Sequence, residues 1–220
     1  MKITDKGIAI LENDHCICKW IEEEGRLDHD CNALPRILPH IKKGDIIFDV
    51  GSFVGDHTEA YQRKGFVHAF EPNREAFECL ECNMKGKNAV CHYIAFSDSV
   101  HGFDMQAPEG NIGMAQLTEG KRMTTTIDIY CQDYGVIPNF CKIDAEGYEL
   151  KILKGGVETI KKHKPVLVLE VNEHALIQCG TSRKELLEYL DEIGYIYQDI
   201  YGEPLESLHT QFDIICYGKN

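Results

Sequence analysis

The segment Asp45-Ile-Ile-Phe-Asp49-Val-Gly51-Ser-Phe-Val-Gly55-Asp56-His57-Thr58 constrains this chain more than any other. An apolar run reaches an acid, breaks at glycine and passes into a helix-like stretch. That is a buried strand feeding a tight turn and then a helix, the geometry that brings backbone N–H groups and a helix start against a ligand. Gly51 and Gly55 allow a turn and a close approach that a Cβ would obstruct. Their G-x-x-x-G spacing differs from the G-x-G-x-x-G of dinucleotide binders, and Asp56, at the helix start, would repel a pyrophosphate. Twenty residues beyond Gly51 a second apolar run ends in Phe70-Glu71-Pro72-Asn73. An acid there can accept both hydrogen bonds of a ribose diol.

From Gly44 onward the pattern alternates. Strands are expected at Ile46–Val50, Phe66–Phe70, Val90–Phe96, Phe140–Ile143, Pro165–Val171, Tyr195–Ile200 and Phe212–Tyr217. Helices are expected at Asp56–Lys64, Arg74–Asn83, Thr126–Tyr134, Tyr148–Lys154, Gly156–Lys162 and Ser182–Ile193. Such alternation implies parallel strands covered on both faces. No helix separates the last two strands, only a polar connection, so they read as an antiparallel pair at one edge. The fold class expected is therefore α/β: a three-layer sandwich around a mostly parallel, seven-stranded sheet with an antiparallel C-terminal pair. Residues 44–220 form the main unit. Residues 1–43 add an extension of the same domain: a hairpin of Ile8–Leu11 and Ile17–Ile21, then a lead-in helix over Asp28–Ile41 interrupted by Pro35 and Pro39. His101–Met123 reads as irregular, with an edge strand at most. Its Gly110–Ala115 stretch is a candidate flap.

With 220 residues, 43% hydrophobic and 27% charged, the chain has the composition of an ordinary globular domain. Its formal net charge of −13 disfavours a phosphate backbone as partner, so no nucleic acid is expected. No run is long enough to span a bilayer, and the N-terminus lacks the basic start and apolar stretch of a signal peptide. A cytoplasmic location with ten reduced, scattered cysteines is the expectation. Oligomeric state, a homo-oligomer included, stays open.

Three further stretches join Asp45–Thr58 in a resemblance: Ala69-Phe70-Glu71-Pro72-Asn73, Ala95-Phe96-Ser97-Asp98, and Lys142-Ile143-Asp144-Ala145-Glu146-Gly147-Tyr148-Glu149 followed by Leu153-Lys154-Gly155. With them the chain resembles a class I S-adenosylmethionine-dependent methyltransferase, and more closely one of the FkbM type. The resemblance runs from about Gly44 to Glu173. It implies that Asp49, Gly51 and Gly55 flank the methionine portion of the cofactor. Glu71 would hold the ribose, with Asn73 beside the adenosine, and Ser97 and Asp98 would sit at the adenine edge. A sulfonium cation carrying an amino acid and a diol calls for such carboxylates rather than a phosphate clamp.

Methyl transfer to a hydroxyl also needs the acceptor's proton removed, by a base or by a metal that lowers its pKa. Asp144 and Glu146 end the fourth strand. The fifth ends Glu170-Val-Asn172-Glu-His174, with Glu170 and Asn172 on one side. Asp144, Glu170 and Asn172 are thus expected to converge on the acceptor as a candidate Mg²⁺ set, with Asp144, Glu170 or His174 as catalytic groups. Glu146 and Glu149 can instead simply open the next helix. The acceptor implied is a sugar, glycan or small polar metabolite methylated on oxygen. A nicotinamide-dependent oxidoreductase and a non-catalytic binding module on the same fold are the competing readings.

Overall fold

The computed structural model describes residues 1–202, 205 and 210–219. Two short strands, β1 (Lys2–Ile3) and β2 (Ala9–Ile10), open the chain, followed by α1 (Ile17–Glu24) and α2 (Leu34–Ile37). The alternating region follows as β3 (Ile46–Val50), α3 (Asp56–Tyr61), β4 (Phe66–Phe70), α4 (Arg74–Met84) and β5 (Ala89–His92). An antiparallel pair, β6 (Gly102–Gln106) and β7 (Gln116–Met123), is inserted before α5 (Ile127–Tyr134) and β8 (Phe140–Ile143). Next come α6 (Glu149–Gly155), α7 (Val157–His163), β9 (Val166–Asn172), α8 (Glu173–Gln178) and α9 (Arg183–Glu192). The chain closes with β10 (Tyr195–Asp199) and β11 (Gln211–Gly218).

Seven of these strands form one sheet in the order β10-β11-β9-β8-β3-β4-β5. Side chains alternate across it, as the two-residue period of a strand requires. Ile47, Val67, Phe140 and Val168 face a core shared with Ile21, Ile37, Tyr61 and Leu80 of the first four helices. Phe48, Phe70, Ile143 and Leu169 face the other core, with Tyr130, Leu153, Ile160 and Leu190 of the later helices. The result is the three-layer α/β sandwich expected. The path β3→β4→β5 runs toward one edge and β8→β9 toward the other. The order therefore reverses between β3 and β8, the place where open α/β sheets bind ligands.

Several details depart from expectation for physical reasons. The N-terminal hairpin is β1 with β2, and residues 17–24 are helical. Cys18 and Ile21, one turn apart, are its buried positions, and Asp14 Oδ1 accepts from the N–H groups of Cys16 (3.2 Å) and Cys18 (2.9 Å). A carboxylate satisfying the first free amides favours a helix over a strand. The third strand ends at His92, and Phe96 makes only an isolated parallel bridge to Thr125. Residues 102–123 are an antiparallel ribbon. A Cβ on Gly102 would stand 2.3 Å from the Gly120 carbonyl oxygen, so glycine there permits the close pairing. The last two strands do form the antiparallel pair expected at one edge, with β10 outermost and β11 between it and β9, antiparallel to both. The connection leading into β11 lies largely outside the described residues, at 203, 204 and 206–209. Among the described residues no helix is long and apolar enough to cross a membrane.

Candidate functional site

A cavity of about 800 Å³ opens over the C-terminal ends of β3, β4, β8 and β9, across the reversal point. Such a volume suits a drug-sized ligand together with a small partner. Gly51 shapes its floor. The residue has φ +81°, and a Cβ on it would stand 1.7 Å from the Asp144 carbonyl oxygen, so only glycine lets the β3 and β8 loops meet. Gly55 (φ +93°) serves a neighbouring contact, its Cα packing against Leu80 and Met84 of α4.

On the β3–β4 side, Asp49 is 1% exposed. Its Oδ2 accepts from the Thr58 hydroxyl (2.5 Å), while its Oδ1 is buried with no hydrogen-bond partner among the described residues. Burial raises its pKa, with the Lys142 ammonium opposing that shift. The Glu71 carboxylate is clamped by backbone amides: Asn73 N–H donates to Oε1 (2.6 Å) and Phe53 N–H to Oε2 (2.8 Å). Phe53 adopts φ +48° to present that amide. Burial lifts Glu71 to about 7 against the pull of these two bonds. Ile94, Ala95 and Phe96 continue the wall.

The other expected contacts on this side have local partners. Asn73 caps α4, its Oδ1 accepting from the amides of Glu75 (3.0 Å) and Ala76 (3.2 Å). Ser97 is buried, bonded to the exposed Asp98 (3.3 Å), and neither is part of the cavity wall.

On the β8–β9 side the cavity is acidic. Lys142, 5% exposed, donates to Asp144 Oδ2 (2.6 Å) and stands beside Asp49 in the parallel register. Burial works against the Asp144 charge, yet Lys142 and the neighbouring Glu170 carboxyl hold it below the ordinary carboxylate range. Glu170 accepts from the Gln211 amide (2.6 Å), and burial together with Asp144 keeps its pKa well above normal. Glu146, at φ +50°, is pushed to about 8 by burial and by Asp144. Ligand atoms of Asp144, Glu146 and Glu170 lie within 4.8 Å of one another. Asp213, opposite Glu170 in the β9–β11 register, is lifted to about 6 by burial. Glu149 is fully buried and braces the loop, accepting from the amides of Ala145 (2.8 Å) and Gly147 (3.2 Å).

Two expected participants lie apart from this cluster. Asn172 caps α8, its Oδ1 accepting from Ala175 N–H (3.2 Å). His174 is exposed in the first turn of α8, Nε2 3.0 Å from Gln178 Nε2, and faces a second cavity.

The N-terminal segment and the β6–β7 connection roof the site, through Cys16, Ile17, Trp20 and residues 111–115. Asp14 ties the two together: its Oδ2 accepts from Ile112 N–H (3.0 Å) and Gly113 N–H (3.4 Å), while Oδ1 holds the start of α1. His57 lies between the Tyr61 hydroxyl and Asp30 Oδ2, 3.2 Å from each. Burial opposes its charged form, but the Asp30 bond outweighs it and raises the ring's pKa.

Sequence reading assigned no role to Lys142, Asp213 or Asp14. The first two carried a usable signal, being charges inside otherwise apolar strands, where an ion persists only with a partner. Asp14's local bonds to Cys16 and Cys18 give only the ordinary signal of an acid before a helix, and its tie to residues 112 and 113, nearly a hundred positions away, leaves none.

The Methyltransferase FkbM domain model matches residues 49–197. The chain is 28% identical over 163 residues to the hexuronic acid methyltransferase AglP of Haloferax volcanii, covering 71% of this chain and 65% of that protein. It thus spans somewhat less than two thirds of that relative's length. Among solved structures, a methyltransferase FkbM from Methylobacillus flagellatus KT superposes with TM-score 0.52 at 18% identity, over 79% of this chain and 43% of that one. The precorrin-6y C5,15-methyltransferase of Geobacter metallireducens GS-15 superposes with TM-score 0.55 at 18% identity, over 98% and 96%. A TehB-like SAM-dependent methyltransferase from Corynebacterium glutamicum gives 0.53 at 11% identity, over 91% and 92%. The fold is that of the S-adenosylmethionine-dependent methyltransferases, and the chain belongs to the FkbM methyltransferase domain family.

Proposed function

We propose that the cavity binds S-adenosylmethionine on its β3–β4 side and a sugar hydroxyl on its β8–β9 side, and that the protein is an O-methyltransferase. The observation that carries this reading is a single cavity joining Asp49, Gly51 and Glu71 to Asp144, Glu146 and Glu170 across the reversal of strand order. The residues present fit the donor. Asp49 Oδ1 is a buried acceptor with no hydrogen-bond partner among the described residues, suited to an ammonium or sulfonium. Glu71, aimed by two amides, keeps lone pairs for a ribose diol. Asp56 and Glu59 in the first turn of α3 oppose a pyrophosphate there, which also counts against a nicotinamide cofactor. The hexuronic acid relative supports a carbohydrate acceptor.

When bound, S-adenosylmethionine supplies an electrophilic methyl group with a good leaving group. The chain's own residues align the acceptor and exclude water, the larger part of such catalysis. The carboxylate of Asp144, kept ionised by Lys142, lies with Glu146 and Glu170 where an acceptor hydroxyl would enter. This group takes the hydroxyl proton as the oxygen–methyl bond forms and the sulfur–methyl bond breaks. Trp20 and the 111–115 segment close the site from above. His174, facing the second cavity, is not placed for this step.

A Mg²⁺ set of Asp144, Glu170 and Asn172 does not fit. Asn172 is spent on its helix, and Lys142 already supplies Asp144 with a cation. Asp144, Glu146 and Glu170 bring carboxylate oxygens within 4.8 Å of one another, but the Lys142 ammonium already occupies the Asp144 corner, and the proton step is assigned to side chains alone. Release of S-adenosylhomocysteine from wild type and Asp144→Asn, on a panel of sugar glycosides, tests the reading. The variant is expected to lose roughly 10²–10⁴-fold in kcat with unchanged affinity for S-adenosylhomocysteine, and wild type to keep full activity in EDTA. Equal turnover by the variant would remove Asp144 from the proton step, and loss of activity in EDTA restored by Mg²⁺ would reinstate the metal.

A further inference from the structure

The second cavity, about 760 Å³, adjoins the first. The two share Met114 and Leu117 as walls. Gln116 lines the second and donates its amide to the Glu146 carbonyl (3.0 Å), at the partition beside the acidic cluster. One side of this groove is the β6–β7 ribbon. The other is formed by Tyr148 and Lys151 at α6 and by His174 and Gln178 of α8.

Its chemistry is the reverse of its neighbour's. The reaction cavity carries Asp144, Glu146, Glu170 and Asp213 on the acceptor side. The groove is lined by no carboxylate among the described residues, although the chain bears a net charge of −13. Its ionisable nitrogens are those of Lys151 and His174. The Lys151 ammonium sits 4.4 Å from the centre of the Tyr148 ring, which holds it in place without neutralising it. Cys179, also in the wall, is kept a neutral thiol by burial, at about 11. The amides of Gln116 and Gln178 and the hydroxyl of Thr118 add the neutral donors and acceptors that sugar hydroxyls need. An anion held a few ångströms from the acidic cluster would be repelled, whereas one displaced into this groove meets a lysine instead.

We propose that this groove binds the sugar unit adjoining the one that is methylated, and that this unit carries an anionic group, a carboxylate or a phosphate, held by Lys151 and His174. The proposal rests on the sugar methyltransferase reading of the first cavity and specifies its acceptor: at least two units long, with the charge outside the reaction cavity.

The test is calorimetric titration of the protein saturated with S-adenosylhomocysteine, using three probes of similar size: a disaccharide of one glucuronate and one glucose, maltose 1-phosphate and maltose. One or both anionic probes should bind at least tenfold tighter than maltose, and whichever does identifies carboxylate or phosphate as the group. Lys151→Glu should remove that preference while leaving affinity for S-adenosylhomocysteine unchanged. Lys154→Glu, an exposed site on the same helix outside the groove, should keep the preference. Equal binding of the three probes, no binding of any, or equal loss in the two lysine variants would overturn the proposal. Failure of wild type to bind S-adenosylhomocysteine at all would overturn the methyltransferase reading, and the groove assignment with it.

Discussion

Replacing Glu71 by Gln keeps the shape of the side chain and tests how the cofactor side is built. The two carboxylate oxygens receive N–H groups from opposite directions, Asn73 at 2.6 Å and Phe53 at 2.8 Å. An amide has one oxygen, so in either orientation its NH₂ faces a backbone N–H. Leaving one buried donor unsatisfied costs roughly 1–3 kcal/mol of stability. The charge available to a ribose hydroxyl is lost as well. A hydrogen bond to a charged group contributes about 1.5–3 kcal/mol, so affinity for S-adenosylhomocysteine at pH 8.5 should fall roughly 10- to 150-fold. Burial lifts Glu71 to about 7, and its protonated form, like Gln, offers a ribose hydroxyl no charge. The difference between wild type and variant should therefore shrink as pH falls from 8.5 to 5.5. Calorimetry at both pH values, with thermal melts of the free proteins, provides the assay. A variant binding within threefold of wild type at pH 8.5, or a gap that stays constant with pH, would refute the placement of the ribose at Glu71.

Two other outcomes follow from the same geometry. Glu71 and Glu149 (each about 7) and Glu146 (about 8) are all raised by burial above the ordinary 4.5. A carboxyl whose folded pKa is raised contributes stability that is complete below its unfolded pKa and lost as pH climbs through the folded one. The ligand-free protein should therefore lose on the order of 2–3 kcal/mol between pH 6.5 and 8.5. Glu146→Gln should flatten that slope, while a wild-type unfolding free energy that is constant or rising over the same window would contradict the assignment. Asp14→Ala should release the roof, with residues 107–115 cut several-fold faster by a non-specific protease while the rest of the chain stays protected. Unchanged cleavage would show that the four amides on Asp14 do not hold the roof closed.

What could be read from the sequence tracks how much each feature depends on local chemistry. β3, β4 and β8 match their expected bounds because each is a short, mostly apolar run, broken only by Asp49, His68 or Lys142, that stops at Gly51, Glu71 or Asp144. The position of β11 between β9 and β10 was not legible. Strand order is decided by pairing between distant segments, and the polar link before β11 is compatible with either place. Residues 17–21 read as a strand because Ile17-Cys18-Lys19-Trp20-Ile21 is a short, mostly apolar stretch with no helix cap directly before it. The carboxylate that makes the segment helical, Asp14, is recognisable only once its amide partners are seen. The β6–β7 ribbon is half exposed and glycine-rich, so no apolar alternation marked it.

At the site, Asp49, Glu71, Asp144 and Glu170 were legible because the ends of parallel strands converge. Asn73 and Asn172 stand beside those acids in sequence but cap helices in space. Asparagine before a helical stretch is a preferred N-cap, and that local demand settles the side chain's direction.

The central claim is that one cavity at the β3–β8 reversal binds S-adenosylmethionine. Calorimetric titration of the wild-type protein with S-adenosylhomocysteine, and separately with NAD⁺, tests it most directly. Saturable one-to-one binding of S-adenosylhomocysteine with no heat from NAD⁺ is the predicted result, and binding of NAD⁺ with none of S-adenosylhomocysteine would contradict the account.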